Sequence, residues 1–232
     1  MFAFLQNSWL ALLLAAVIAY LLGSVSFAII VTKVFGKKDI RDFGSGNAGA
    51  TNVLRSQGKI PALLTTLGDL GKSMLSVVIG GWLLCNVQLD PLTIESFRSL
   101  MYDPENLMLV GSYLAGFFCI LGHLYPLFFG FRGGKGVMTT LGMMLLLDWR
   151  VALLLLAVFA VVVLCTRMVS LGSILAALGL PVATWLFRTC VYHQQWPTVV
   201  FCTVAVAVIA LVVIIKHRSN IVRIIKGTEN KI

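Results

Sequence analysis

Apolar residues occur in this chain as long unbroken runs, not in alternation with polar ones. The runs cover roughly 8–35, 60–85, 107–131, 137–147, 151–166, 171–187 and 197–215. A helix rises about 1.5 Å per residue and the hydrocarbon core of a bilayer is about 30 Å thick, so a run of about 20 apolar residues predicts a spanning helix. Four of the runs have full spanning length. The 137–147 and 151–166 pieces are short; they either cross where the membrane is thin or dip in together around Asp148-Trp149-Arg150. Both options return the chain to the same side. At about 28 residues the first run is too long for a signal peptide, and no small-residue cleavage pattern follows it. The pattern predicts an all-α integral membrane protein of seven transmembrane helices, two of them short, forming a single domain over 1–232.

Composition agrees. The chain is 59% hydrophobic and 12% charged, against about 45–50% and about 25% in soluble domains. That excludes a soluble globular enzyme, a disordered tail and a secreted disulfide scaffold. The five cysteines (Cys85, Cys119, Cys165, Cys190, Cys202) lie in or beside apolar runs without a C-x-x-C pair, and read as packing residues. The three histidines are scattered, so neither a metal nor a cofactor is expected.

The net charge of +9 would suggest nucleic acid in a soluble protein. In a membrane protein it points instead to basic cytoplasmic loops, anionic headgroups or anionic substrates. With the N-terminus outside and seven crossings, every Lys and Arg except Arg98, Arg150 and Arg188 falls on one face. The 86–106 loop adds Asp90, Glu95, Asp103 and Glu105 to the poor face. The rich face, and the C-terminus with it, is therefore expected to be cytoplasmic.

Three polar segments fall on that face. The first runs Gly44-Ser45-Gly46-Asn47-Ala48-Gly49-Ala50-Thr51-Asn52-Val53-Leu54-Arg55. Its glycines let backbone amides approach a ligand, while Ser45, Asn47, Thr51 and Asn52 can bond phosphate or hydroxyl oxygens and Arg55 can clamp a phosphate. A plain linker between two helices is the competing reading, and it leaves this polar density unexplained.

The second runs Gly122-His123-Leu124-Tyr125-Pro126, then Phe129-Gly130-Phe131-Arg132-Gly133-Gly134-Lys135-Gly136, and opens a helical run at Val137. A glycine turn at a helix start presents N–H groups and the positive end of the helix dipole, and Lys135 adds a full charge. It is not a nucleotide-binding P-loop, because Phe129 stands at the leading glycine and Gly136 at the Ser/Thr. His123 alone reads more readily as a packing histidine. The third segment is His217-Arg218-Ser219-Asn220 with Arg223, Lys226, Gly227 and Glu229. His217, Asn220 and Arg223 share one face if the last span continues as a helix. A basic tail gripping lipid headgroups explains the cations there but not His217 and Asn220.

Asp69 and Lys72, three apart inside the second span, can neutralise each other; a structural ion pair is the simpler reading beside a functional one. The Arg167–Ser173 turn, with Ser170, also faces the cytoplasm and can close the same pocket. Together the segments supply glycine amides, Ser45, Arg55, Lys135, His217 and Asn220: a metal-free site suited to phosphorylated small molecules beside lipid.

Gly44–Arg55, Gly122–Val137 and His217–Glu229 closely resemble, in order, the three motifs of the bacterial acyl-phosphate:glycerol-3-phosphate acyltransferases (PlsY). Two local departures are Ser26, where the family pattern suggests Pro, and Met138. The resemblance implies transfer of a fatty acyl group from acyl phosphate to the 1-hydroxyl of glycerol 3-phosphate, giving lysophosphatidate and phosphate, in the bacterial inner membrane. It implies a seven-helix bundle with an external N-terminus. Ser45, Arg55, Lys135, His217 and Asn220 would hold the polar substrates. Gly133, Gly134 and Gly136 would bind the glycerol 3-phosphate phosphate, with Asn47 beside them, and Thr51 and Ser170 the donor headgroup. Membrane lipid and an acyl-phosphate-producing enzyme are the implied partners, with no nucleic acid. The hydroxyl proton can pass to a substrate phosphate oxygen or to His217. The alternative, an organophosphate transporter using the same cradle, finds no second copy of either Gly-rich motif.

Overall fold

The computed structural model describes residues 8–86 and 104–231, and every regular element among them is helical. Asp90, Glu95, Arg98 and Asp103 of the acidic loop fall outside the described residues. The chain divides into two compact units, one ending at Leu147 and one starting at Asp148.

In the first unit, α1 (Ser8–Gly23) and α2 (Phe27–Gly36) share the first apolar run. The run is broken where Gly23-Ser24-Val25-Ser26 interrupts it. A break inside an apolar span frees backbone groups that lipid cannot satisfy, so neighbours must do it. Here the Ser24 hydroxyl donates to the Tyr20 carbonyl at 2.8 Å, and the Lys72 ammonium donates to the Val25 carbonyl at 2.8 Å. Ser26, the departure from the family pattern, takes the extended cap position and accepts the Ile30 N–H at 3.0 Å.

A 3₁₀ turn at Ile40–Asp42 leads to α3 (Ala50–Gln57) and then to α4 (Lys59–Cys85). Next come α5 (Pro104–Leu124), a 3₁₀ turn at Leu127–Phe129, and α6 (Val137–Leu147). Small residues set how closely these helices meet. Ala11, Ala15 and Ala19 form a fully buried stripe on α1, and Ala19 packs on Ala115 and Cys119 of α5. Gly80 of α4 and Gly111 of α5 lie so close that a Cβ on either would strike the other's carbonyl. With lipid as apolar as the side chains, such close backbone packing is what holds membrane helices together.

In the second unit, Asp148 caps α7 (Trp149–Thr166), its carboxylate accepting the Val151 N–H at 3.2 Å. Arg167 turns the chain with a left-handed φ of 60° into α8 (Val169–Leu186), which continues as a π-helical turn at Phe187–Val191. α9 (Trp196–Lys216) follows, then a break at His217 and the short α10 (Arg218–Ile225).

Six stretches among the described residues are long and apolar enough to cross a membrane: 9–36, 59–85, 106–129, 149–166, 169–191 and 196–216. The 151–166 piece, short in sequence, gains two residues from the Asp148 cap and reaches 18. The 137–147 helix stays at 11 residues, about 16 Å by helical rise, too short to cross alone. The protein is a multi-pass membrane protein.

Candidate active site

Ser45 sits in an exposed turn between the 3₁₀ turn and α3, and one buried side chain organises that turn. The Asn52 amide nitrogen lies within hydrogen-bond reach of the carbonyls of Ile40 (3.1 Å), Phe43 (2.9 Å) and Asn47 (3.1 Å), and its oxygen accepts the Ser45 N–H at 3.1 Å. Asn52 therefore folds the loop instead of facing a ligand, which corrects its reading as a phosphate-bonding side chain. Thr51 and Arg55 are four apart on α3, on one face. Arg55 is exposed, while Asn47 and Thr51 are half-buried.

The Gly-rich loop comes to the same place. Arg41 grips Asp39 through Nε and Nη2, at 3.0 and 2.8 Å, and donates from Nη1 to the Phe129 carbonyl at 2.7 Å. One guanidinium thus ties the first polar segment to the second. The Asp39 carboxyl is held below its ordinary value chiefly by that hydrogen bond, and the Arg41 guanidinium is correspondingly raised. Between the two segments lies a cavity of about 770 Å³ lined by Lys33, Arg41, Ser45, Arg132 and Gly133, with Asp39 and Asp42 among the other lining residues. Three cations against two carboxylates make its wall net basic.

Past it, Gly133 and Gly134 lie flat on α5. The Gly134 N–H donates to the His123 carbonyl at 3.1 Å, and a Cβ at either glycine would strike His123. Gly136 adopts φ 86°, and its carbonyl takes the first helical bond of α6, from the Thr140 N–H at 2.8 Å. Lys135 is half-buried immediately before that helix start.

In the second unit, His217 breaks α9 from α10 and is 2% exposed. Its Nδ1 lies 2.8 Å from the Val213 carbonyl. A carbonyl only accepts, so Nδ1 carries the hydrogen and the neutral ring keeps its basic lone pair on Nε2. Glu229 gathers the rest. Its Oε1 accepts from Ser170 Oγ at 2.8 Å and Asn220 Nδ2 at 2.7 Å, and its Oε2 pairs with Arg223 at 2.8 Å. Burial alone would raise the Glu229 carboxyl; the hydrogen bonds from Asn220, Ser170 and Arg223 outweigh it and hold the group below its ordinary value.

A family model described as glycerol-3-phosphate acyltransferase matches residues 13–227, which includes the first two polar segments and the third as far as Gly227. The chain belongs to that family. A glycerol-3-phosphate acyltransferase of Jannaschia sp. (strain CCS1) is 39% identical, covering 100% of this chain and 98% of its own. One of Neisseria meningitidis serogroup A is 39% identical over 94% of this chain and 96% of its own. Among solved structures, the fold is similar to crystal structures of PlsY (YgiH), an integral membrane glycerol 3-phosphate acyltransferase. Its glycerol 3-phosphate form superposes with TM-score 0.72 at 33% identity over 95% of both chains, and its lysophosphatidic acid form with TM-score 0.70 at 32% identity. The resemblance drawn from the three motifs is borne out.

Within this acyltransferase, the first unit brings Ser45 and Gly133 to one cavity and seats Gly134 against His123. The second unit brings Ser170 and Asn220 together on Glu229. Sequence reasoning named Glu229 only as the end of a motif and gave it no role. The signal was a lone acid among the cations of a basic tail, which in a folded protein marks the collecting point of nearby donors. Arg41, counted only toward the charge of its face, is likewise a tie between two loops.

Proposed function

We propose that this protein transfers a fatty acyl group from acyl phosphate to the sn-1 hydroxyl of glycerol 3-phosphate, forming lysophosphatidate and inorganic phosphate. The observation that carries this reading is the basic cavity walled by the Ser45 turn and the Gly133 loop, in a family whose solved relative has a glycerol 3-phosphate form. Both substrates are anionic phosphates, and such a wall suits them.

Acyl phosphate is a mixed anhydride, so the chemistry asks mainly for positioning. The glycerol hydroxyl oxygen bonds to the acyl carbon, the bond from that carbon to the phosphate oxygen breaks, and phosphate leaves with the electron pair. Arg55, Lys135 and the amides at Gly133 and Gly136 stabilise the negative charge that develops on the carbonyl and the departing phosphate, while Gly134, its N–H given to the His123 carbonyl, holds the loop in place. Ser45, Asn47, Thr51 and Asn220 orient phosphate and hydroxyl oxygens, while Ser170, its hydrogen given to Glu229, can accept from a substrate hydroxyl. The proton goes to a substrate phosphate oxygen or to His217 Nε2, the nitrogen that the bond to Val213 leaves basic.

With seven crossings, the 11-residue 137–147 helix passing in company with its neighbours, the distribution of Lys and Arg supports an external N-terminus and a cytoplasmic active site, and the family resemblance supports the inner membrane. The family match crosses both compact units, which supports one catalytic domain over 1–232. The test is detergent-purified protein incubated with palmitoyl phosphate and labelled glycerol 3-phosphate, with lysophosphatidate as readout. Product is expected; its absence from folded protein overturns the reading.

A further inference from the structure

The mechanism makes no use of a buried charged cluster in the first unit. Asp69 and Lys72 on α4 and His123 on α5 are 2%, 5% and 5% exposed. The Lys72 ammonium meets three acceptors: the Asp69 carboxylate at 2.8 Å, the Val25 carbonyl at 2.8 Å and His123 Nδ1 at 3.0 Å. Nδ1 of His123 also lies 3.4 Å from the Asp69 carboxylate, so both members of the pair face one edge of the ring. The orientation of the ring is thereby fixed from below.

Above it lies the Gly-rich loop. The His123 carbonyl accepts the Gly134 N–H, and the ring's Nε2 edge occupies the space that a Cβ on Gly134 would need. The carbonyl does the same at Gly133. The loop is therefore laid on His123 at two successive glycines, one against the main chain and one against the ring. Charged groups buried in a span are costly and are kept where they have a task.

We propose that the Asp69–Lys72 pair locks the His123 ring as the floor of the Gly133–Gly136 loop, making His123 a positioning residue for the phosphate of glycerol 3-phosphate. The inference rests on the function proposed above and adds a residue to it. A pair that merely bolted α4 to α5 would govern how much protein folds, and would leave acceptor affinity in the folded fraction untouched. A floor governs where the loop's amides point, so its loss must appear as weakened capture of one substrate.

The experiment measures kcat and both KM values on detergent-purified variants, with palmitoyl phosphate as donor, alongside equilibrium binding of labelled glycerol 3-phosphate. His123→Ala is expected to raise the KM and Kd for glycerol 3-phosphate about ten-fold, with kcat and the palmitoyl phosphate KM changing less than about three-fold. Lys72→Met shifts the acceptor KM the same way by a smaller factor. His123→Gln, whose amide can accept from Lys72 and refill the floor, restores most of the affinity. Should His123→Ala not fold, Lys72→Met and the charge-balanced pair Asp69→Asn with Lys72→Met carry the same test. Acceptor KM and Kd unmoved in folded variants, or a fall in kcat at constant KM, overturns the inference while the function stands. A wild type that neither binds glycerol 3-phosphate nor makes lysophosphatidate overturns the function and this inference with it.

Discussion

Asn52 and Glu229 perform one task in the two units with opposite chemistry. Each is a single side chain that gathers scattered polar groups of its own unit. Asn52 does it as a neutral amide, holding three carbonyls and one N–H of its own chain stretch. Glu229 does it as a carboxylate, holding a serine from α8 and an asparagine and an arginine from α10. The groups to be held explain the choice. Carbonyls need donors, which a carboxylate lacks, whereas a hydroxyl, an amide and a guanidinium all donate and reward an acceptor carrying charge.

The largest effect expected is on the chemistry and not on either organiser. Lys135→Ala should lower kcat/KM by about 10²–10³-fold, the loss seen when a preorganised charge stabiliser is removed. Lysophosphatidate formation measures it. Full activity in the variant would move the catalytic charge elsewhere and leave both organisers supporting something other than this site.

Glu229→Ala comes next. It removes three charge-assisted bonds, of which the one to Arg223 counts least because that side chain is one-third exposed and water takes its charge. Losing the bonds to Ser170 and Asn220 should cost about 3 kcal/mol, read as a lowered midpoint of thermal unfolding in detergent. Activity should fall with it, since Asn220 loses its anchor. Glu229→Gln keeps an acceptor oxygen and should recover part of both.

Asn52→Asp should cost somewhat less, about 2 kcal/mol, because it retains the acceptor for the Ser45 N–H but aims a carboxylate at three carbonyls. Asn52→Ala, which removes the bonds without adding a charge, should be the milder change. If Asp proved harmless, the loop would not depend on the amide's donors, and the contrast with Glu229 would collapse.

These two residues also mark how far the sequence was legible. The runs of apolar residues predict the helices well, because a spanning helix needs about 20 of them in a row and nothing else supplies such a signal. The three motifs and their order were equally plain, as were the loop residues Ser45 and Gly133 that line the cavity, since glycine and cation density in an apolar chain has few other causes. What the pattern missed depended on three-dimensional neighbours. The break at residues 24–26 is satisfied by Lys72, 47 residues away from Val25. The placing of His123 beneath Gly134 depends on a loop turning back over its own helix. Asn52 reads in sequence like a ligand-facing amide, and only its carbonyl partners reveal a scaffold.

The comparison sharpens further with acid. The Glu229 carboxyl is held below its ordinary value in the folded protein, so its contribution to stability is full above the ordinary glutamate value and fades as pH falls through the lowered one. The stability gap between wild type and Glu229→Gln should therefore narrow below about pH 4.3. The gap between wild type and Asn52→Ala should not change over the same range, since an amide does not titrate. Unfolding midpoints at stepped pH decide it. A Glu229 gap that stayed constant into acid would mean its bonds do not depend on its charge.

The smallest effect concerns the first unit's own carboxylate. Asp39 pairs with Arg41, but the two side chains are 19% and 25% exposed, so solvent screens the pair. Asp39→Asn should change stability by less than about 1 kcal/mol, because an amide oxygen still accepts from Arg41 and the bond to the Phe129 carbonyl remains. The more informative readout is affinity. Asp39 is one of the two acids in a wall that also carries Lys33, Arg41 and Arg132. Neutralising it makes the cavity more positive and should lower the KM for glycerol 3-phosphate about two-fold at low salt, an advantage that disappears as salt is raised. A higher KM would mean that Asp39 serves the cavity by aiming Arg41, and that this organiser, like Glu229, works through its charge.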